Sequence, residues 1–223
     1  MGKKILIYAE GKSDVNFLGL WLCDWDYLKY FEIRNVNGKN KLQNNKGDIE
    51  EIINKKHNDY EDFLICFDAD RDFEKSQQEI KNQLEGIEIS DENIFLFPYN
   101  IKQRKENKQE EKEELETLLL LTIKPKHEKF ENCFVCYETC FNNHFSSKDF
   151  KLSAKDKVYA YLRGLKLQDY YTKEFIFDKV ITREGKVEDK DIFNRFKNLF
   201  DFNSLSLNPL KDFLKQQIAK LKK

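Results

Sequence analysis

Hydrophobic positions follow two rhythms in the first half of the chain and a single one in the second. Lys4-Ile5-Leu6-Ile7-Tyr8-Ala9 is an apolar run too short for a helix, which predicts a strand buried on both faces of a parallel sheet. It stops at Glu10-Gly11. Ser13 is then placed to cap a helix through about residue 28, because Val15, Leu18, Leu22 and Trp25 recur at helical spacing and Asp14 falls near the positive helix end. Residues 31–36 alternate as a second strand, closed by the turn pair Asn37-Gly38. A polar loop and a helix over 48–56, apolar at Ile49, Ile52 and Ile53, lead to a third strand over 63–67 that runs straight into Asp68. A helix over 73–84 and a fourth strand over 93–97, stopped by Pro98, complete the alternation.

Residues 101–114 carry Lys, Arg, Gln and Glu without apolar periodicity and read as a loop or the solvated start of a helix. Beyond them the period is helical throughout, with helices expected over 115–121, 128–145, 154–167, 189–200 and 209–222. Strands alternating with helices predict an α/β fold: a four-stranded, mostly parallel sheet flanked by helices, with a C-terminal helical region. The division falls near residue 123. No repeat or Gly/Ser linker separates 1–123 from 124–223, so the second part is expected to pack on the first as one structural unit.

Composition narrows the class. The 223 residues can bury a sizeable core, to which 19 Phe and 10 Tyr contribute, while 35 % of positions are charged, as in a soluble globular protein. No apolar run approaches the ~20 residues of a membrane span, and the apolar part of the start is too short for a signal peptide. Five cysteines, an odd number, point to reduced thiols rather than a disulfide framework, and a cytoplasmic protein is expected. A net charge of −1 provides no global attraction for a polyanion, so contact with nucleic acid must rest on local patches or metal ions.

The chemistry concentrates at two strand ends. In a parallel sheet the functional crevice lies beyond the C-terminal ends of the strands, and Glu10 and Asp68 each follow an apolar strand directly. Asp68 and Asp70 lie two apart, so an extended backbone points both to one side, with Asp72 in the turn that opens the next helix. Crowded carboxylates repel unless a cation neutralises them, and hard oxygen donors suit Mg²⁺ or Mn²⁺ rather than Zn²⁺. Taken singly, each feature has a plainer reading: a turn at Glu10-Gly11, a helix cap with solvated acids after Asp68, or a salt bridge from Arg71.

Elsewhere the signals are weaker. Cys133, Cys136, Cys140 and His144 fall near one helical face among Phe130, Phe134, Tyr137 and Phe141, where the thiols are expected to act as small core hydrophobes, since one straight helix cannot wrap four ligands around zinc. His57 and His127 lack a nucleophile partner and are expected at the surface. Lys102, Arg104, Lys105 and Lys108 are diluted by Glu106, Glu110, Glu111 and Glu113 and read as a solvated loop. Lys220, Lys222 and Lys223 read as a frayed helix end.

The segment Ile7-Tyr8-Ala9-Glu10-Gly11-Lys12-Ser13-Asp14 before a helix, with Cys66-Phe67-Asp68-Ala69-Asp70-Arg71-Asp72 after a later strand, resembles the Toprim domain. That fold is shared by topoisomerases, bacterial primases, small RNA-maturation nucleases and the overcoming-lysogenization-defect nucleases. Leu115-Glu116-Thr117-Leu118-Leu119-Leu120 and the tail from Phe202 through Pro209 to Leu214 are similar to a bacterial Toprim-related family of unknown function. The resemblance implies that Glu10 is a general acid/base or metal ligand, that Asp68 and Asp70 are the metal pair, and that Asp72 is the frequent third acid. It further aligns Asp14 and Glu116 with acids of the nuclease-like branch. Their plainer readings are a first-turn helix charge and a solvated helix face.

No tyrosine domain of a topoisomerase, zinc module of a primase or Gly-rich ATPase loop accompanies these motifs, and Glu10-Gly11-Lys12-Ser13 lacks the upstream glycine spacing of a phosphate loop. Lys12 remains as a candidate phosphate contact. The expectation is a Mg²⁺- or Mn²⁺-dependent phosphoryl transfer, cleaving a phosphodiester of DNA or RNA, with Glu10 as the catalytic group. Two alternatives stay open. One is a non-catalytic metal-bound module for a nucleotide, a nucleic-acid end or a partner protein, with catalysis lost or supplied by another subunit; the other is a purely structural charge cluster.

Overall fold

The computed structural model describes residues 3–70, 72–98, 114–145, 150–173 and 176–222. The elements run β1 (Lys4–Ala9), α1 (Lys12–Asp24), β2 (Phe31–Asn35), α2 (Lys46–Ile53), β3 (Tyr60–Asp68), α3 (Phe73–Gln83), β4 (Ile94–Phe97), α4 (Leu115–Leu120), α5 (Glu128–Phe145), α6 (Ala154–Gly164), α7 (Gln168–Thr172), α8 (Ile176–Lys179), α9 (Lys190–Leu199) and α10 (Asn208–Leu221). All four strands are parallel, in the order β2-β1-β3-β4. The α/β fold, the sheet and the helical C-terminal region are those the periodicity predicts.

Alternation of side chains along each strand divides the apolar residues between the two faces. Ile5, Ile7 and Ala9 of β1 join Leu64 and Cys66 of β3 in the larger core, whereas Leu6 and Tyr8 join Phe63, Ile65 and Phe67 in the smaller one. Helices α2 and α3 cover the smaller core through Ile49, Ile52, Phe73 and Ile80. Helix α1 covers the other face. From β1 the chain steps to β2 on one side and then returns to β3 on the other, so its helices fall on opposite faces and β1/β3 becomes the point where strand order reverses.

Helix α1 has little amphipathic character because it has no solvent face: every residue from Asp14 to Leu22 is buried. The C-terminal helices close over it. The amide of the fully buried Asn16 donates to the Tyr170 and Tyr171 carbonyls at 3.2 and 2.7 Å and accepts from the Ile176 N–H at 2.8 Å, which ties α1 to α7 and α8. Gly19 allows this approach, since a Cβ there would lie 3.0 Å from both Ile176 Cγ2 and the Phe177 ring. Trp21 stacks on Phe202 at 4.3 Å, and the Trp25 indole donates to the Phe202 carbonyl at 3.1 Å. One core therefore runs from the sheet through α1 to α10. Each large side chain buried there contributes roughly 1.5–3 kcal/mol.

Several local expectations change. Helix α1 begins at Lys12 with Gly11, not Ser13, at its N-cap, and ends at Asp24 because Asp26 takes a left-handed φ of 59°. A 3₁₀ stretch, Lys39–Asn45, occupies the polar loop before α2. Helix α6 stops at Gly164, and the short helices α7 and α8 follow, which no periodicity announced. No described helix is long and apolar enough to cross a membrane.

Candidate functional site

Glu10 leaves β1 and Asp68 ends β3, and the pairing of Ala9 with Cys66 brings these two exits side by side at the reversal point. The surrounding loops are fastened to them. Gly38, whose φ of +119° suits a residue without Cβ, donates its N–H to the Glu10 carbonyl at 2.9 Å. Asp14, in the first turn of α1, accepts the Gly11 N–H at 3.0 Å, and Leu115 donates its N–H to Asp68 Oδ1 at 2.8 Å. The last bond pins the start of α4 to the end of β3 and carries the buried Glu116 inward.

Glu10, Asp14, Asp68 and Glu116 consequently line one cavity of about 270 Å³, together with Lys12 and Lys155. Lys155 comes from the first turn of α6, where Ser153 caps the helix by accepting the Asp156 N–H. Tyr159, one turn further, lies near Glu116, and burial followed by the Glu116 charge raises its hydroxyl pKa. Lys12 lies at the exposed rim and donates to the Lys173 carbonyl at 3.2 Å.

The acids are held where their charge is costly. Burial, then the charges of Glu10 and Glu116, pushes the Asp14 carboxyl up to about 7. Burial, reinforced by Asp14, Glu10 and Glu116, raises Asp68 well above the usual carboxylate range, against the pull of the Leu115 N–H. Glu10 is raised by burial and then by Asp70, with Lys39 opposing; Glu116 is raised by burial, with Lys155 opposing. Burial works against the Lys155 ammonium too, yet Glu116 and its neighbours outweigh it and hold that pKa high. One Glu10 oxygen, Oε2, is buried without a hydrogen-bond partner, as is the Tyr171 hydroxyl, which feels the charges of Glu116, Asp14 and Asp68. Such orphaned atoms are rare and call for an explanation.

The other two acids of the Asp68 cluster are placed differently. Asp70 adopts a left-handed φ of 52°, so the extended-backbone expectation that it shares a side with Asp68 fails. Its carboxylate binds Lys39 Nζ at 2.6 Å, and Lys39 also reaches Ser76 Oγ at 2.9 Å and Glu79 at 3.4 Å. Asp70 borders the cavity only through its effect on Glu10. Asp72 caps α3 by accepting the Lys75 N–H at 3.0 Å, and it does not line the cavity. Arg71 lies outside the described residues.

The cavity's donors are carboxylate oxygens, with no thiol or imidazole among the lining residues, which fits a hard divalent cation. The four acids outnumber two lysines, and Glu10 Oε2 has an unmet need for a partner. Among the described residues, only Asp48, Glu51 and His57 bring three ligand atoms all within 4.8 Å of one another. The cavity acids do not bring three ligand atoms within that distance of one another. Asp48 is already engaged by Arg34 and the Tyr8 hydroxyl, and His57 Nδ1 accepts the Asp59 N–H, which leaves the proton of the neutral ring on Nε2.

Sequence pattern missed Lys155 and Tyr159, because nothing local separates one Lys–Tyr helical pair from the chain's many others. Their role comes from the packing of α6 on α4. Other expectations are corrected: Cys133, Cys136 and Cys140 are exposed rather than in the core, because α5 buries only the side around Phe134. His57 and His127 are partly buried, the first with its ring tilted against Tyr60 at 4.6 Å and the second bonded to the Asn198 carbonyl at 3.0 Å. Lys220 is anchored to Glu92 at 2.8 Å instead of frayed. The basic segment from Lys102 to Lys108 lies outside the described residues.

No curated protein and no solved structure matches the chain significantly. A family model described as "Protein of unknown function (DUF3226)" matches residues 4–218, and by that nearly full-length match the chain belongs to this family.

Proposed function

We propose that this chain is a cytoplasmic, Toprim-like metalloenzyme that performs Mg²⁺- or Mn²⁺-dependent phosphoryl transfer, and that its reaction is cleavage of a nucleic-acid phosphodiester. The observation that carries this reading is the convergence of four acids at the β1/β3 strand exits, Asp14 and Glu116 buried and Glu10 and Asp68 partly buried, with one Glu10 oxygen lacking a partner. Asp68 and Glu10 would hold the ion, with Asp14 and Glu116 supporting it and Asp70 at its margin. A bound divalent ion polarises a phosphoryl oxygen and lowers the pKa of a water.

The chain's own groups supply the rest. Glu10, with a raised pKa and an unoccupied oxygen, is suited to accept the proton of an attacking water. Lys155, charged and reaching from the surface to the acids, is placed to neutralise a phosphate, and Lys12 at the rim to hold a neighbouring one.

The test is incubation of purified protein with single- and double-stranded DNA and RNA, with Mg²⁺ or Mn²⁺ and with EDTA. Metal-dependent products that vanish in Glu10→Gln and Asp68→Asn support the proposal; no products, or variants matching wild type, contradict it. One feature favours a second reading, a metal-bound module that binds a nucleotide, a nucleic-acid end or a partner protein without cutting it. No three ligand atoms of the cavity acids lie within 4.8 Å of one another, which leaves a ligand to complete the site. Metal-dependent binding without product distinguishes it.

A further inference from the structure

Tyr171 buries a hydroxyl beside the acids that the fold itself does not use. Helix α6 stops at Gly164, Lys166 takes a left-handed φ of 55°, and the Leu167 N–H returns to the Leu162 carbonyl at 2.7 Å, so α7 folds back against α6. Asn16, two residues after Asp14, donates its amide to the Tyr171 carbonyl at 2.7 Å and clamps α7 to the turn of α1 that carries Asp14. Helix α6 in turn packs on α4, which carries Glu116. Tyr171 therefore stands where α1, α6 and α7 meet. It is fully buried, and it does not line the cavity but lies inward of it.

The ring is explained by packing and the hydroxyl is not. A phenylalanine would fill the same space without burying a polar atom, and a buried hydroxyl without a hydrogen bond costs stability. Among the described residues the Tyr171 hydroxyl has no partner, and such orphans are rare in native folds. Its surroundings are acidic: burial first, then the charges of Glu116, Asp14, Tyr159 and Asp68, hold the phenol well above the usual tyrosine range, so it remains an O–H donor. The acids, for their part, are short of donors, since Glu10 Oε2 is orphaned and Asp68 Oδ1 relies on the Leu115 N–H. An ionised carboxylate accepts a much stronger hydrogen bond than a neutral one, and a divalent ion requires ionised acids. Glu116 is the acid whose charge weighs most on the hydroxyl, and Lys155 opposes that charge from the surface.

We propose that Tyr171 is a positioning residue of the acid site: its hydroxyl donates to the ionised Glu116 carboxylate and holds it facing a bound divalent ion. This rests on the metal reading of the cavity and gives Tyr171 no contact with ion or substrate. Carboxylates that serve a metal are themselves hydrogen-bonded from behind, and removing such a partner lowers metal affinity by roughly 10–100-fold.

The experiment compares the full wild-type chain with Tyr171→Phe in two measurements: Mn²⁺ affinity, read from the loss of the free-ion paramagnetic resonance signal, and Tm in EDTA, read by circular dichroism. Tyr171→Phe should bind Mn²⁺ about 10–100-fold more weakly, while its metal-free Tm equals or exceeds that of wild type because an orphaned hydroxyl has been removed. On a Glu116→Met background, which offers the hydroxyl no acceptor, Tyr171→Phe should weaken binding no further. An unchanged Mn²⁺ affinity overturns the inference. So does a metal-free Tm that falls together with the affinity, which would make the hydroxyl a structural anchor, and so does a full second loss on the Glu116→Met background. Wild type that takes up no Mn²⁺ overturns the metal reading along with it, whereas wild type that binds the ion as tightly as Tyr171→Phe overturns the role of Tyr171 alone.

Discussion

Two aspartates two residues apart at the end of β3 meet opposite fates. Asp68 sits partly buried among Glu10, Asp14 and Glu116, with one N–H as its counterweight, while Asp70 turns through a left-handed backbone onto Lys39. A few residues further, Asp72 caps a helix. The difference separates acids whose charge the protein neutralises from acids whose charge it leaves standing. A buried carboxylate without a compensating cation opposes folding, so the cavity acids are retained against stability, whereas Asp70 and Asp72 serve it. Four measurements can sharpen or break that contrast.

The largest effect is expected at Asp68. Asp68→Asn keeps an oxygen for the Leu115 N–H but removes the charge, and metal-dependent cleavage should fall by at least ~100-fold, roughly 3 kcal/mol of barrier. Asp70→Asn, assayed in parallel, should lose far less; equal losses would erase the distinction.

Next comes pH. Asp14 titrates at about 7 in the fold instead of 3.8, so between those values the native state holds a proton that the unfolded chain releases. Metal-free stability should therefore fall as pH rises through this window and level off above it, with Asp68, Glu10 and Glu116 acting in the same direction. Mg²⁺ or Mn²⁺ needs the ionised acids, so its gain in Tm should be larger at pH 8 than at pH 5. Calorimetry at both values decides it: a metal gain that shrinks with rising pH contradicts the assignment.

Asp14→Asn should then raise metal-free stability at pH 8 by up to about 4 kcal/mol, given ~1.4 kcal/mol per unit of pKa shift and a rise from 3.8 to about 7, while weakening the metal effect. Urea unfolding with and without Mg²⁺ measures both. Destabilisation in the absence of metal would mean that the acid is a structural anchor of the Gly11 turn. The smallest effect belongs to Asp72→Ala, which loses a helix cap worth ~1 kcal/mol and should leave the Mg²⁺-induced Tm shift intact.

The sheet was legible because strands buried on both faces read as unbroken apolar runs, and Glu10 and Asp68 were legible because each ends one. Asp14 and Glu116 carried only spacing and resemblance, since their burial depends on helices packed from distant parts of the chain. The positive φ at Asp70 left no trace in composition, so its two-residue spacing from Asp68 misled. Lys155 and Tyr159 were hidden for another reason. Their helix is ordinary in sequence, and only its docking on α4 turns one face toward the acids. The cysteines of α5 failed in the reverse sense, where aromatic neighbours suggested a core that forms only around Phe134.

The central claim is that the cavity acids await a divalent cation, and a crystal soaked in Mn²⁺ tests it most directly through anomalous scattering at the manganese edge. The account predicts a peak among Glu10, Asp68, Asp14 and Glu116, lost in an Asp68→Asn crystal. A cavity without a peak, or manganese bound only beside Asp48, Glu51 and His57, would contradict it.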